Sequence, residues 1–180
     1  MDNTSPWIES VPSTPRYPSL QTTLHTDVVI VGAGITGIMT AYLLAKEGKS
    51  VVILEKQTVA AAETGYTTAL LTYVVDTPLT KLHSTFGDDG AKMVWQSNKE
   101  SIDLIEKIAR DERIDCEFTR CAGKNYAADQ KGLDQLNKEA ALGNEFEFPI
   151  SIRHSGLAFE TPGYLFVPGQ AKFHPRKFLL

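Results

Sequence analysis

Cysteine is nearly absent: Cys116 and Cys121 are the only two in 180 residues. Two thiols five residues apart build neither a disulfide framework nor a zinc site, so both are expected to be reduced thiols of a cytoplasmic protein. Histidine is as sparse. His25, His83, His154 and His174 are scattered, no pair has metal-ligand spacing, and no metal site is expected. Basic charge is also lacking. The net charge of -4 removes the basic surface that nucleic acid needs. No apolar run reaches the length of a membrane span. The opening MDNTSPWIESVPSTPRYP has neither the basic n-region nor the apolar h-region of a signal peptide.

What is present is the composition of a globular chain, 42% hydrophobic and 22% charged, long enough for one sizeable core. Its most informative stretch is DVVIVGAGITGIMTAYLLAKEGKSVVILE, residues 27–55. An apolar run over residues 28–31 leads into Gly32-Ala33-Gly34-Ile35-Thr36-Gly37. An amphipathic pattern follows to Glu47, then a second apolar run over residues 51–54 ends on Glu55. Strand, glycine turn, helix, strand and acid form the unit that holds the ADP half of a dinucleotide. Gly32 allows the sharp turn, Gly34 lets a pyrophosphate approach the backbone, and Gly37 lets helix and strand pack closely. The helix N-terminus presents free N–H groups to the phosphates. Glu55, about twenty residues on, is placed to accept the ribose hydroxyl protons and repels a 2′-phosphate. The first strand shows no polar alternation and is expected to be buried on both faces. Gly48 is expected to end the helix. Lys56 reads either as a lid on an adenine ring or as a solvated lysine.

Around this unit the pattern is plainer. Residues 1–26 form a leader whose prolines, Pro6, Pro12, Pro15 and Pro18, argue against helix, with Trp7 and Tyr17 as anchors. Residues 58–72, TVAAAETGYTTALLT, carry Thr64, Gly65, Thr67 and Thr68, the small hydroxyl and glycine residues of a loop that passes close to a ligand. Helical spacing predicts a short helix at 78–86 and a long one at 88–113, with Trp95 in the core. Alternation at 115–120 and 125–128 suggests a hairpin. A helix over 129–142 is expected to stop at Gly143. A strand is expected over 146–152, and short extended pieces over 156–167. His174 reads as a turn residue before a helix entered at Pro175. The apolar face of that helix has barely begun at Leu180, which suggests an N-terminal fragment and a partial sheet with exposed edges.

The glycine signature with Ala41, Gly48 and Glu55 resembles that of the D-amino-acid-oxidase-like (DAO) family of FAD-dependent oxidoreductases. The segments Thr64-Gly65-Tyr66-Thr67-Thr68-Ala69, Gly87-Asp88-Asp89, residues 114–118 and Gln170-Ala171-Lys172-Phe173-His174-Pro175 are similar to the subgroup carrying a C-terminal Rieske [2Fe-2S] domain. That domain's cysteines and histidines are not in this sequence. The resemblance implies an α/β fold: a Rossmann-like FAD-binding βαβ unit with an incomplete parallel sheet, plus the first part of a mixed α+β substrate domain. It implies a leader at 1–26, FAD-binding residues at 27–113, substrate-domain residues at 114–172 and a helix start at 173–180. It implies oxidation of an amine or amino acid C–N bond by hydride transfer to flavin. Gly32, Ala33, Gly34, Ile35, Thr36 and Gly37 would hold the pyrophosphate region, Glu55 and Lys56 the adenosine, and Thr64, Gly65, Thr67 and Thr68 the flavin side. No catalytic residue is singled out. An NAD-binding dehydrogenase and a non-catalytic nucleotide-binding remnant are the rival readings.

Overall fold

The computed structural model describes residues 4–180, so the first three residues of the expected leader lie outside it. In chain order the elements are α1 (Pro6–Ser10), β1 (Val28–Val31), α2 (Ile35–Lys46), β2 (Val51–Leu54), a 3-10 turn (Glu63–Tyr66), β3 (Leu70–Leu71), α3 (Leu79–Asp111), β4 (Thr119–Tyr126), α4 (Gln130–Glu145), β5 (Ser151–Arg153), β6 (Tyr164–Lys172) and α5 (Pro175–Leu179). Two compact units divide the chain. One holds the N-terminal stretch through Ala69 with Arg113–Glu117 and Phe173–Leu180; the other holds Leu70–Glu112 and Phe118–Lys172. Residues 70–112, expected with the FAD-binding part, thus group with the second unit, and the units part at 112/113, beside the expected division at 113/114. Residues of α3 such as Trp95 and Ile102 belong to the same core as Leu165 and Val167 of β6, which draws the helix into the second unit.

The first unit is the βαβ element. β1 and β2 pair in parallel with Val28 opposite Val51 and Val31 opposite Leu54, the incomplete parallel sheet expected. β1 is not buried on both faces, however. Ile30 faces α2, whereas Val29 and Val31 are 55% and 85% exposed, because α2 covers one face of the pair and successive side chains alternate. Gly48 adopts φ +79°, just past the end of α2, where only glycine is free of strain. The leader also departs from expectation, since α1 is helical. Pro6 sits at its first position, where a missing N–H costs nothing, and the Ser5 side chain accepts from the Trp7 N–H at 3.2 Å. Trp7 anchors the leader as expected, its Nε1–H donating to the Thr67 carbonyl at 2.7 Å, but Tyr17 is 76% exposed.

The second unit is a four-stranded antiparallel sheet with β6 between β3 and β4, and β5 also pairing with β6. α3 bends at Gly87 (φ 71°), which separates the two helices the sequence predicts. Trp95 packs edge-on to Tyr73 and Phe148, with centroids 5.8 and 5.2 Å away. Four expectations fail here, two of them because a glycine admits a neighbouring side chain rather than reversing or ending the chain. The hairpin at 115–128 is a single strand, β4. Gly123 lies at a register shift, where a Cβ would stand 2.5 Å from the Gln170 side-chain oxygen. α4 runs through Gly143, whose added Cβ would meet Ile150 Cδ1 at 2.3 Å, so this glycine admits a neighbour instead of ending the helix. The alternating Phe146, Phe148 and Ile150 are buried without strand pairing, and β5 begins only at Ser151. The short pieces expected over 156–167 give way to β6, the central strand, which carries Pro168-Gly169 through the bulge.

Pro78, at the N-cap of α3, offers no side-chain cap. Glu139 of α4 supplies it from across the unit, accepting from the Leu79 and Thr80 N–H groups and from Thr80 Oγ1 while only 6% exposed. A Glu139→Gln change turns an amide donor toward these donors. It is expected to lower stability by about 1–2 kcal/mol, read as a reduced urea midpoint with an unchanged slope.

Candidate functional site

The site begins where β1 ends. Gly32 takes φ +102°, a conformation a side chain would strain, and its N–H donates to the Leu54 carbonyl at 2.8 Å, tying the turn to the last residue of β2. Ala33 is buried, and Gly34 forms the N-cap of α2 without any side-chain cap. A Cβ on Gly37 would lie 2.0 Å from the Gly32 carbonyl oxygen and 3.3 Å from Ile30 Cγ2. That closeness lets the first turn of α2 sit against the end of β1. Its leading N–H groups have no carbonyl within the helix to serve them and face outward with the positive end of the helix dipole.

Glu55 leaves the end of β2 and turns back over this loop. Its Oε2 accepts from the Ala33 N–H at 2.8 Å, and its Oε1 from the Gln57 N–H at 2.8 Å. These two backbone donors, Ala33 first, hold the carboxyl below its ordinary value, and the Lys56 charge adds to them against a small cost of burial. Glu55 is exposed, so each oxygen keeps acceptor capacity toward solvent. The following loop is latched to the same turn: the Ala60 N–H donates to the Ala33 carbonyl at 3.0 Å, and Thr64 Oγ1 accepts from the Ile35 N–H at 3.0 Å. A Cβ on Gly34 would stand 3.2 Å from that Thr64 oxygen.

Gly32, Ala33, Gly34, Ile35, Gly37, Glu55 and Thr64 therefore converge, with Thr36 exposed beside them on the first turn of α2. The other residues singled out from sequence divide. Lys56 and Thr68 are exposed. Gly65 is buried, where a Cβ would meet the Ala60 oxygen at 2.5 Å and Ile8 at 3.2 Å. Thr67 gives its carbonyl to Trp7 and its hydroxyl oxygen to the Ala69 N–H. Gly65 and Thr67 thus hold the leader to the loop. Ala60, whose backbone makes the second latch, carries no sequence signal. Its φ of 54° is a property of the folded turn alone.

His174 also belongs to this unit, as a turn residue and N-cap. Its Nδ1 accepts from the Lys177 N–H at 3.2 Å, so the proton of the neutral ring is on Nε2, 2.9 Å from Ser10 Oγ. Ser10 Oγ in turn donates to the Pro6 carbonyl at 2.6 Å, and the ring lies edge-on to Trp7 at 5.1 Å. Burial, then the Lys177 and Arg176 charges, pull the imidazole below its ordinary value, opposed by Glu117. A depressed folded value means that this cap contributes stability above the unfolded pKa, about 6.5, and loses it as pH falls through the folded one. The expected result is a Trp7 indole resonance in 1H–15N spectra that shifts on acidification below pH 6. The shift should vanish in His174→Gln. A pH-independent wild-type resonance would contradict the arrangement.

Among the described residues no helix is long and apolar enough to cross a membrane, and no group of three or more His, Cys, Asp or Glu is placed to hold a metal. Comparison with known proteins now bears on the unit. The family model described as FAD dependent oxidoreductase (DAO) matches residues 27–180. The Bacillus subtilis (strain 168) protein YhfW, whose name describes a Rieske 2Fe-2S iron–sulfur protein, is 32% identical over 169 residues, covering 92% of this chain and 33% of that protein. The chain thus spans about a third of the length of this curated relative. In fold, it is similar to glycine oxidase from Geobacillus kaustophilus, with TM-score 0.66, 21% identity, and coverage of 87% of this chain and 43% of that one. It is likewise similar to L-amino acid deaminase from Proteus vulgaris, with TM-score 0.69, 22% identity, and coverage of 94% and 46%.

Proposed function

The chain belongs to the DAO family of FAD-dependent oxidoreductases, and from that premise we propose that residues 27–55 hold the ADP half of FAD in an enzyme oxidising the C–N bond of an amine or amino acid. The observation that carries this reading is the pairing of the glycine turn with Glu55, whose carboxylate is fixed by two 2.8 Å bonds beside the open first turn of α2. The donor set fits the group. Gly32 and Gly34, with the N–H groups of Thr36 and Gly37, would face the pyrophosphate, and the Ile35 N–H holds the Thr64 hydroxyl at the same turn. Glu55 would accept from the ribose hydroxyls through its remaining lone pairs, and its charge disfavours a 2′-phosphate. Lys56 and Thr68, both exposed, are the further candidates for cofactor contact; Gly65 and Thr67 shape the loop beside them. When bound, FAD supplies a hydride acceptor for the substrate carbon.

The substrate class follows from the family and from the names of the fold relatives, an oxidase of glycine and a deaminase of L-amino acids. By the same reasoning from YhfW, we propose that the whole protein works with a Rieske [2Fe-2S] domain; the free thiols of Cys116 and Cys121 support a cytoplasmic location. The test is anaerobic mixing of the FAD-loaded full-length protein with a panel of amines and amino acids. Bleaching of the flavin absorbance by one of them is expected. A flavin that no member of the panel bleaches removes the substrate assignment. Iron and acid-labile sulfide in the purified full-length protein test the Rieske association, and their absence removes it.

A further inference from the structure

A second feature of the first unit lies apart from the glycine turn. Arg176, the second residue of α5, is only 3% exposed. Its Nε is buried without a hydrogen-bond partner, and no ion pair engages it among the described residues. A buried guanidinium nitrogen left without an acceptor is costly. Such a group implies an anion that completes it.

The surroundings are those an anion requires. Arg176 lines a cavity of about 450 Å³ together with Arg16, Ser13, Thr14 and Thr58, and Ile8 contributes apolar wall. The lining thus has two guanidinium groups, three hydroxyls and no carboxylate. None of those three hydroxyls makes an intramolecular hydrogen bond among the described residues, so all are free to donate. Neither the glycine turn nor Glu55 lines this cavity. The leader is held over it from one side by α1, where the Trp7 indole bonds the Thr67 carbonyl. From the other side α5 is capped by His174, whose backbone N–H donates to the Cys116 carbonyl at 2.6 Å.

We propose that this cavity is an oxyanion site that binds a phosphate group, with Arg176 as its buried anchor and Arg16 as its outer clamp. Guanidinium forks bind phosphate oxygens in pairs, and hydroxyls from the leader and the 58–61 loop satisfy the remaining acceptors. Occupancy would tie the leader to the body of the first unit, so ligand binding and leader docking are one event.

The experiment is equilibrium dialysis of the protein with 32P-labelled inorganic phosphate, and in parallel with glycerol phosphate, at constant ionic strength set with chloride. Saturable binding of at least one of the two is expected. Tighter binding of the ester assigns a phosphorylated metabolite; tighter binding of the inorganic ion assigns free phosphate. Arg16→Gln, at an exposed position that does not threaten folding, should weaken binding by about tenfold, the worth of one charge-assisted contact. Arg176→Lys keeps the charge but removes the fork and should weaken it at least as much. Absence of saturable binding, or binding unchanged in both variants and therefore located elsewhere, such as at the glycine turn, overturns the proposal.

Discussion

A chain carrying Gly37→Val is expected to lose the βαβ unit. The first added carbon alone would stand 2.0 Å from the Gly32 carbonyl oxygen, inside any permitted contact. The obstacle is backbone, and that backbone is fixed, since the Gly32 N–H is bonded to the Leu54 carbonyl at 2.8 Å. Relief requires α2 to move away from β1, which separates the helix N-terminus from the turn it completes. Overpacking costs about 1–3 kcal/mol where flexible side chains give way, and the rigid backbone here places the cost at or above the upper end of that range. Against a typical total of about 5–15 kcal/mol, this is a large fraction. The urea midpoint should fall steeply and FAD binding should vanish with it. Gly48→Ala is the internal comparison. Its φ of 79° is strained for alanine but nothing lies within 4 Å, so the expected cost is only about 1 kcal/mol and FAD binding should survive. Equal midpoints for wild type and Gly37→Val would show that the close approach of helix and strand is not needed.

The second large effect concerns Glu55→Ala. The change removes the acceptor proposed for the ribose and also frees the Ala33 and Gln57 N–H groups that the carboxylate now satisfies. Hydrogen bonds to a charged group are worth about 1.5–3 kcal/mol, so FAD affinity should fall by about tenfold to a hundredfold. The pH dependence gives an independent sign. Because backbone donors hold the Glu55 carboxyl below its ordinary value, the charged form persists below the unfolded pKa. FAD affinity should therefore stay flat from pH 8 down to about 5 and decline only as pH falls through the depressed folded value. Flavin fluorescence titrations across this range read both effects. An alanine variant with unchanged affinity and unchanged urea midpoint would remove the ribose role.

The β1–α2–β2 unit was legible because its signals are local. Each glycine between Gly32 and Gly37 answers a constraint set by its near neighbours in the chain, and Glu55 sits at the end of the next strand. Thr64 was legible from its hydroxyl and its glycine neighbour, although its contact with the Ile35 N–H is a tertiary one. Elsewhere the same residue types misled. Gly143 looked like a helix stop, and the break in alternation around Gly123 looked like a hairpin turn, but each glycine is small because another side chain occupies the space, Gln170 at Gly123 and Ile150 at Gly143. The central strand was read only as short pieces up to 167 because it continues through a bulge at Pro168-Gly169 that is defined only against β4. α1 was missed because a proline reads as a helix breaker unless it stands at the first helical position. Glu139 and Arg176 gave no signal at all. Both are charged side chains, a type ordinarily left in solvent, and their burial comes from packing partners distant in the chain.

The exposed face of β1 sharpens what the two-stranded sheet means. Val31 is 85% exposed on an apolar strand beside the glycine turn, so the proposed anchor for the ADP half is formed while one face of its sheet stays open. The central claim, that this anchor takes FAD, is tested most directly by titrating the protein with FAD and, in parallel, with NADH and NADPH, following ligand fluorescence. Saturable binding of FAD, with weaker NADH binding and none of NADPH, is the predicted result. A protein that binds NADH more tightly than FAD, or that shows no saturable response to FAD, contradicts it.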